Sequence, residues 1–166
     1  MEASDLEMKE YYASRASYYD VVYEKPERRL DIAFLKQHLP ERLRGREVLE
    51  VACGTGYWSQ HIAPACTRYL ATDGVAEPLE IAKNRVGLSR TNCFVADAYA
   101  LPTSLGQFDG AFAGLWFSHV SRERYTDSFG SLHARLRPGA RVLLIDNSPV
   151  QCAEFPIVET DDHGNT

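Results

Sequence analysis

Six residues have types and spacings that could do chemistry together: Glu50, Gly54, Gly56, Asp73, Asp97 and His119. Glu50 lies in an apolar run, EVLEV, that leads into ACGTGYWSQ. Two glycines between a strand and a helix let a ligand approach the backbone and offer it N–H groups. Such a turn ordinarily suggests a phosphate cradle. A carboxylate at its lip argues against that, because like charges in a partly dry site repel by several kcal/mol, as an order of magnitude. The dinucleotide pattern G-x-G-x-x-G also fails at its third glycine, where Ser59 stands. The site suits a ligand without phosphate, or one carrying positive charge.

Asp73 and Asp97 each close an apolar run further along. An acid at the end of the second strand can accept hydrogen bonds from both hydroxyls of a ribose. It can equally cap the helix that follows, and Asp97 can serve turn chemistry alone. His119, just past a fourth apolar run, could take a proton near neutral pH, or could simply pack against the next helix. Trp116 and Phe117 precede it and read either as an apolar wall for a small molecule or as core. His61 and His133 fall within helical patterns and read as surface residues.

Positioning these groups takes strands alternating with helices. EVLEV, TRYLATD, NCFVAD, FDGAFAGLWF and RVLLID read as five strands, with helices over GYWSQHIAPA, VAEPLEIAKNRV and RERYTDSFGSLHARL. That order implies βαβ units and a parallel, doubly wound α/β sheet. The continuous apolar run from Val142 to Ile145 predicts burial on both faces. The first forty residues read as helical, with Leu30, Ala33, Phe34 and Leu39 repeating on one helix. The expected organisation is one domain over 1–166, with a helical lid over 1–40 and the core over 46–146.

Composition narrows the function classes. The chain has 166 residues, 45% of them hydrophobic, and a net charge of −5, with basic residues interleaved among acids and leucines. That argues against nucleic acid as a partner. Four cysteines stand without a C-x-x-C pair or a histidine at metal-ligand spacing, so no metal site is expected. An acidic N-terminal stretch and no long apolar run predict a cytoplasmic chain without a membrane partner.

VLEVACGTG resembles the first motif of class I S-adenosylmethionine-dependent methyltransferases, E/D-x-G/A-x-G-x-G, with Ala52 at the first small position. VADAYALP, FDGAFAGLWFSHV and LRPGARVLLID resemble later motifs in the same order, and the resemblance spans roughly residues 10–150. It implies a Rossmann-like fold that binds S-adenosylmethionine and leaves S-adenosylhomocysteine. By that resemblance Glu50, Ala52, Gly54, Thr55 and Gly56 form the cofactor turn, Asp73 takes the ribose hydroxyls, and Gly74 stands where the family packs a residue on adenine. Asp97 accepts from the adenine amino group, and Ala98 and Leu115 line the ring and the fourth-strand end. The segment EYYASRASYYD resembles a lid, so Tyr12 and Tyr19 would close over the methionine end with Arg15 as a carboxylate partner. His119 would be the general base if the acceptor is a hydroxyl.

Gly74 and Pro78 depart from the family pattern, which places bulkier residues there. The family's two C-terminal strands, an antiparallel hairpin, find no counterpart after Asp146. The alternatives are a fragment of a longer protein and an exposed sheet edge covered by a partner, such as a second copy in a dimer. The leading expectation is methyl transfer to a small-molecule acceptor. The competing ones are a non-catalytic binding module of the same fold and a nicotinamide dehydrogenase, against which Glu50 and Ser59 speak.

Overall fold

The computed structural model describes residues 16–90 and 92–150. Tyr12, Arg15 and the side chain of Tyr19 lie outside the described residues, as does the region where a C-terminal hairpin would follow. Five strands form one sheet: β1 (Glu47–Val51), β2 (Arg68–Asp73), β3 (Cys93–Val95), β4 (Phe108–Gly114) and β5 (Leu136–Ile145). Their spatial order is β3-β2-β1-β4-β5, and every neighbouring pair is parallel. The chain therefore runs outward from β1 in one direction and returns to build β4 on its other side. The switch point lies between β1 and β4, where open α/β sheets bind ligands at their carboxyl ends.

The helices are α1 (Arg29–Leu43), α2 (Ser59–Ile62), α3 (Ala76–Ala82) and α4 (Tyr125–His133). Side chains alternate across the sheet as the period of two requires. Val48, Tyr69, Ala71 and Phe112 pack against α1, α2 and α3, with Ile32, Leu39, Leu43, Ile62 and Leu79 opposite them. Leu49, Val51, Leu70, Phe108 and Ala113 form a second core on the other face, where Leu132 of α4 joins them. At the amino ends, Asp109 ties β1 to β4: its carboxylate accepts the Glu47 N–H at 2.7 Å, and its carbonyl accepts Arg46 at 3.0 Å.

Four readings of the sequence need correcting. The apolar stripe of α1 that meets the sheet is Ile32, Leu39 and Leu43, while Leu30 and Phe34 face outward. Val142 and Leu144 are 40% and 42% exposed, so β5 is not buried on both faces. It is the edge strand, and among the described residues nothing pairs with its outer side. β5 also begins earlier than the run RVLLID: RPG lies inside it, where Gly139 at φ +79° accompanies the register shift against β4. The N-terminal helix is also tighter than expected. Ala16–Tyr23 is a 3₁₀ segment that lies along the glycine turn, and we call it the strap. No helix among the described residues is long and apolar enough to cross a membrane.

Candidate active site

The glycine turn follows directly from the end of β1. Ala52 takes φ +55°, and Gly54 and Gly56 take +54° and +73°. A matching left-handed residue, Leu115 at φ +56°, follows the end of β4. Each non-glycine residue in this region costs about 1–2 kcal/mol, and such strain concentrates at functional sites. Here it brackets the crevice between the carboxyl ends of β1 and β4.

Backbone contacts set the shape of the turn. Cys53 N–H donates to the Thr72 carbonyl at 2.9 Å, and Gly56 N–H returns to the Cys53 carbonyl at 3.0 Å. Asp73, at the tip of β2, accepts the Gly54 N–H at 2.8 Å with one oxygen and the Val75 N–H at 2.9 Å with the other. Burial raises its pKa, and the backbone N–H groups partly offset that. With the Gly74 N–H also directed at it, the carboxylate still keeps acceptor capacity for a ligand. Gly56 differs from the sequence reading. A Cβ there would stand 3.0 Å from Leu88 and 3.1 Å from Ala82, so the close approach it permits is to the exit of α3.

Glu50 is the largest correction. It is 2% exposed and lies beneath the turn rather than at its lip. Its carboxyl accepts the Tyr69 hydroxyl at 2.7 Å and the Ser59 hydroxyl, tying β1 to β2 and to the start of α2. Burial pushes its pKa from 4.5 to about 7, against the pull of both hydrogen bonds. Alternation explains the placement: Glu50 points to the same face as Val48, where the helices cover it.

The other acids and aromatics spread around the crevice. Asp97 is exposed and accepts the Tyr99 N–H at 2.9 Å, an Asx turn just after β3, and Ala98 packs inward beside it. Gly74 is exposed next to Asp73. Trp116 lies 6.1 Å from Tyr99, and Phe117 stacks on Tyr125 at 4.9 Å, so both pack on the α4 face of the sheet. His119 is exposed at the end of the short turn Phe117–His119. The neighbouring Ser118 donates its N–H and hydroxyl to Asp146 at 2.7 and 2.9 Å, which joins the ends of β4 and β5.

Sequence reasoning missed two features. A cavity of about 400 Å³ opens between the start of α1 and the ends of β4 and β5, lined by Arg28, Asp31, Trp58, Leu115, Ile145 and Asp146 among others. It shares Leu115 with the crevice. The strap is also fixed to the turn: Tyr23 stacks on Tyr57 at 3.9 Å and meets Trp58 edge-on, while Asp20 reaches Thr55. The run YYASRASYYD pointed to the strap through its tyrosines, but nothing in it singled out Asp20.

A parallel sheet in the order 3-2-1-4-5, with a glycine turn after β1 and acids ending β2 and following β3, is the architecture of a class I methyltransferase core. The chain belongs to the methyltransferase-domain family, whose model matches residues 48–139. It is 30% identical over 120 residues to the O-methyltransferase rstn1 of Aspergillus nomiae, covering 68% of this chain and 52% of that protein. It is also 30% identical over 135 residues to an O-methyltransferase of Pyrenophora dematioidea, covering 74% and 49%. Among solved structures, the DhpI–SAH complex superposes with a TM-score of 0.71 at 30% identity, over 86% of this chain and 69% of that one. The chain thus spans about half the length of these two curated relatives.

Proposed function

We propose that this chain serves methyl transfer from S-adenosylmethionine to an oxygen of a small-molecule acceptor, with the cofactor in the crevice between β1 and β4. The observation that carries this reading is the paired left-handed backbone at Ala52 and Leu115 around a crevice rimmed by Asp73 and Asp97. Acceptors of hydrogen bonds dominate that rim, and the nearby guanidinium of Arg85 is already engaged by Asp20. Such a donor–acceptor set fits a ligand rich in hydroxyl and amino groups and lacking phosphate. The O-methyltransferase relatives and the SAH-bound neighbour support the same reading.

In this reading Asp73 accepts the ribose hydroxyls beside Gly74, Asp97 accepts the adenine amino group beside Ala98, and the Gly54–Thr55–Gly56 backbone holds the methionine end next to Ala52 and Leu115. Glu50 acts from below, by holding Ser59 and hence the start of α2 against the turn. Tyr12 and Tyr19 belong to the covering lid. The bound cofactor supplies an activated methyl group. The protein's part is alignment, worth about 7–11 kcal/mol in favourable cases. The acceptor lies in the cavity beside Leu115, between an apolar wall and the polar rim of Arg28, Asp31 and Asp146. His119 does not line that cavity; it follows β4 beside the Ser118–Asp146 clasp and is the candidate to take the hydroxyl proton.

Calorimetry on the full chain tests the proposal. S-adenosylhomocysteine binds, and Asp73→Asn weakens it by about ten- to a hundredfold, the cost of a lost charged hydrogen bond. No binding to a folded wild-type chain refutes it.

A further inference from the structure

Thr55 stands between two left-handed glycines, so sterics alone do not fix the peptides on either side of it. Three contacts do. Its hydroxyl donates to Asp20 Oδ1 at 2.6 Å, its carbonyl accepts Arg85 Nε at 3.2 Å, and the Arg85 guanidinium pairs with Asp20 Oδ2. These close a ring through three parts of the chain: the strap, the turn after β1, and the exit of α3. Tyr23 anchors the other end of the strap on Tyr57.

The Asp20–Arg85 pair is about one quarter exposed on each side. An ion pair still open to solvent on both sides adds only modestly to global stability, so holding the domain together is a poor account of it. Orientation is a better one. With the Thr55 carbonyl turned to Arg85 and the Gly56 N–H on the Cys53 carbonyl, the turn is held in one of the several shapes its glycines allow.

We propose that Asp20 is a positioning residue: a charge-dependent clasp that locks the strap onto the cofactor turn and sets how long the cofactor stays. This rests on the reading that the turn holds S-adenosylmethionine. Closing the strap and ordering the turn are then one event, so each strengthens the other reciprocally.

The test is stopped-flow binding of S-adenosylhomocysteine to the full chain, with wild type, Asp20→Asn, Asp20→Glu and Arg85→Met. Asp20→Asn and Arg85→Met should raise the dissociation rate about tenfold with the association rate nearly unchanged, and the double variant should be no worse than either. Asp20→Glu, which keeps the charge, should recover part of the loss. Raising salt from ~20 mM to ~0.5 M should speed release from wild type and leave Asp20→Asn unmoved. The ligand-free melting midpoints should agree within about two degrees. Unchanged dissociation in both variants overturns the clasp while leaving the cofactor reading intact, provided Asp73→Asn still weakens binding. A loss that follows a lowered midpoint overturns it as well, by showing an ordinary fold contact. A wild-type chain that is folded but binds nothing overturns the cofactor reading and the clasp together.

Discussion

Replacing Glu50 by glutamine should remove a pH dependence from the stability of this domain. The carboxyl has a pKa of about 7 in the fold against 4.5 as its ordinary value, because burial disfavours its charged form. The folded chain therefore holds this proton more tightly than the unfolded chain does. Its contribution is fully present below pH 4.5 and is lost as pH rises through 7. The shift corresponds to about 3 kcal/mol, or roughly 6–12 °C in the midpoint of a domain this size. Glutamine keeps the shape and an acceptor oxygen for Tyr69 and Ser59 but does not titrate. Urea unfolding from pH 4.5 to about 8 should show wild type losing about 3 kcal/mol relative to Glu50→Gln. Asp73 and His61 titrate in both proteins and largely cancel in that difference. Tyr69→Phe provides a control on cause: it removes a hydrogen bond that lowers the Glu50 pKa, so the transition should move to higher pH. A flat difference between wild type and Glu50→Gln, or one that grows in favour of wild type with pH, would refute the reasoning.

Gly56→Ala should destabilise by about 2–3 kcal/mol, read as a lower urea midpoint, since it combines φ +73° with contacts near 3.0 Å to Leu88 and Ala82. Gly114→Ala puts a Cβ 2.9 Å from the Trp58 indole, which lines the cavity. It should cost about 1–3 kcal/mol and shift tryptophan fluorescence; an unchanged spectrum would show that Trp58 does not pack across Gly114.

The strands were legible because apolar runs bounded by turn residues leave few other readings, and their alternation with helices carried the parallel order. What escaped was decided by neighbours distant in sequence. Glu50 reads as an acid at a lip until β2 brings Tyr69 across from it. The run from Val142 to Ile145 reads as central because it is apolar, yet its place at the edge follows from topology. On α1 two apolar stripes compete, and only docking selects Ile32 and Leu39 over Leu30 and Phe34. At the site, the turn and the two strand-end acids were visible as a pattern. The cavity and the Asp20 ring were not, since each gathers residues from segments far apart in the chain.

The switch point also sets how far apart in sequence the central pairings lie. Val48 pairs with Tyr69 on one side, a comparatively local contact, but with Gly110 on the other. Along the sequence, β2, β3 and the helices around them separate β1 from its second partner, β4. Pairings so distant in sequence are slow, because the loop must close before any contact rewards it. Ala52 and Leu115 flank that last seam, one following each strand. The crevice is therefore completed only when the central pairing is, and a partly folded chain with β1–β2–β3 in place already carries the turn and Asp73 but lacks the opposite wall.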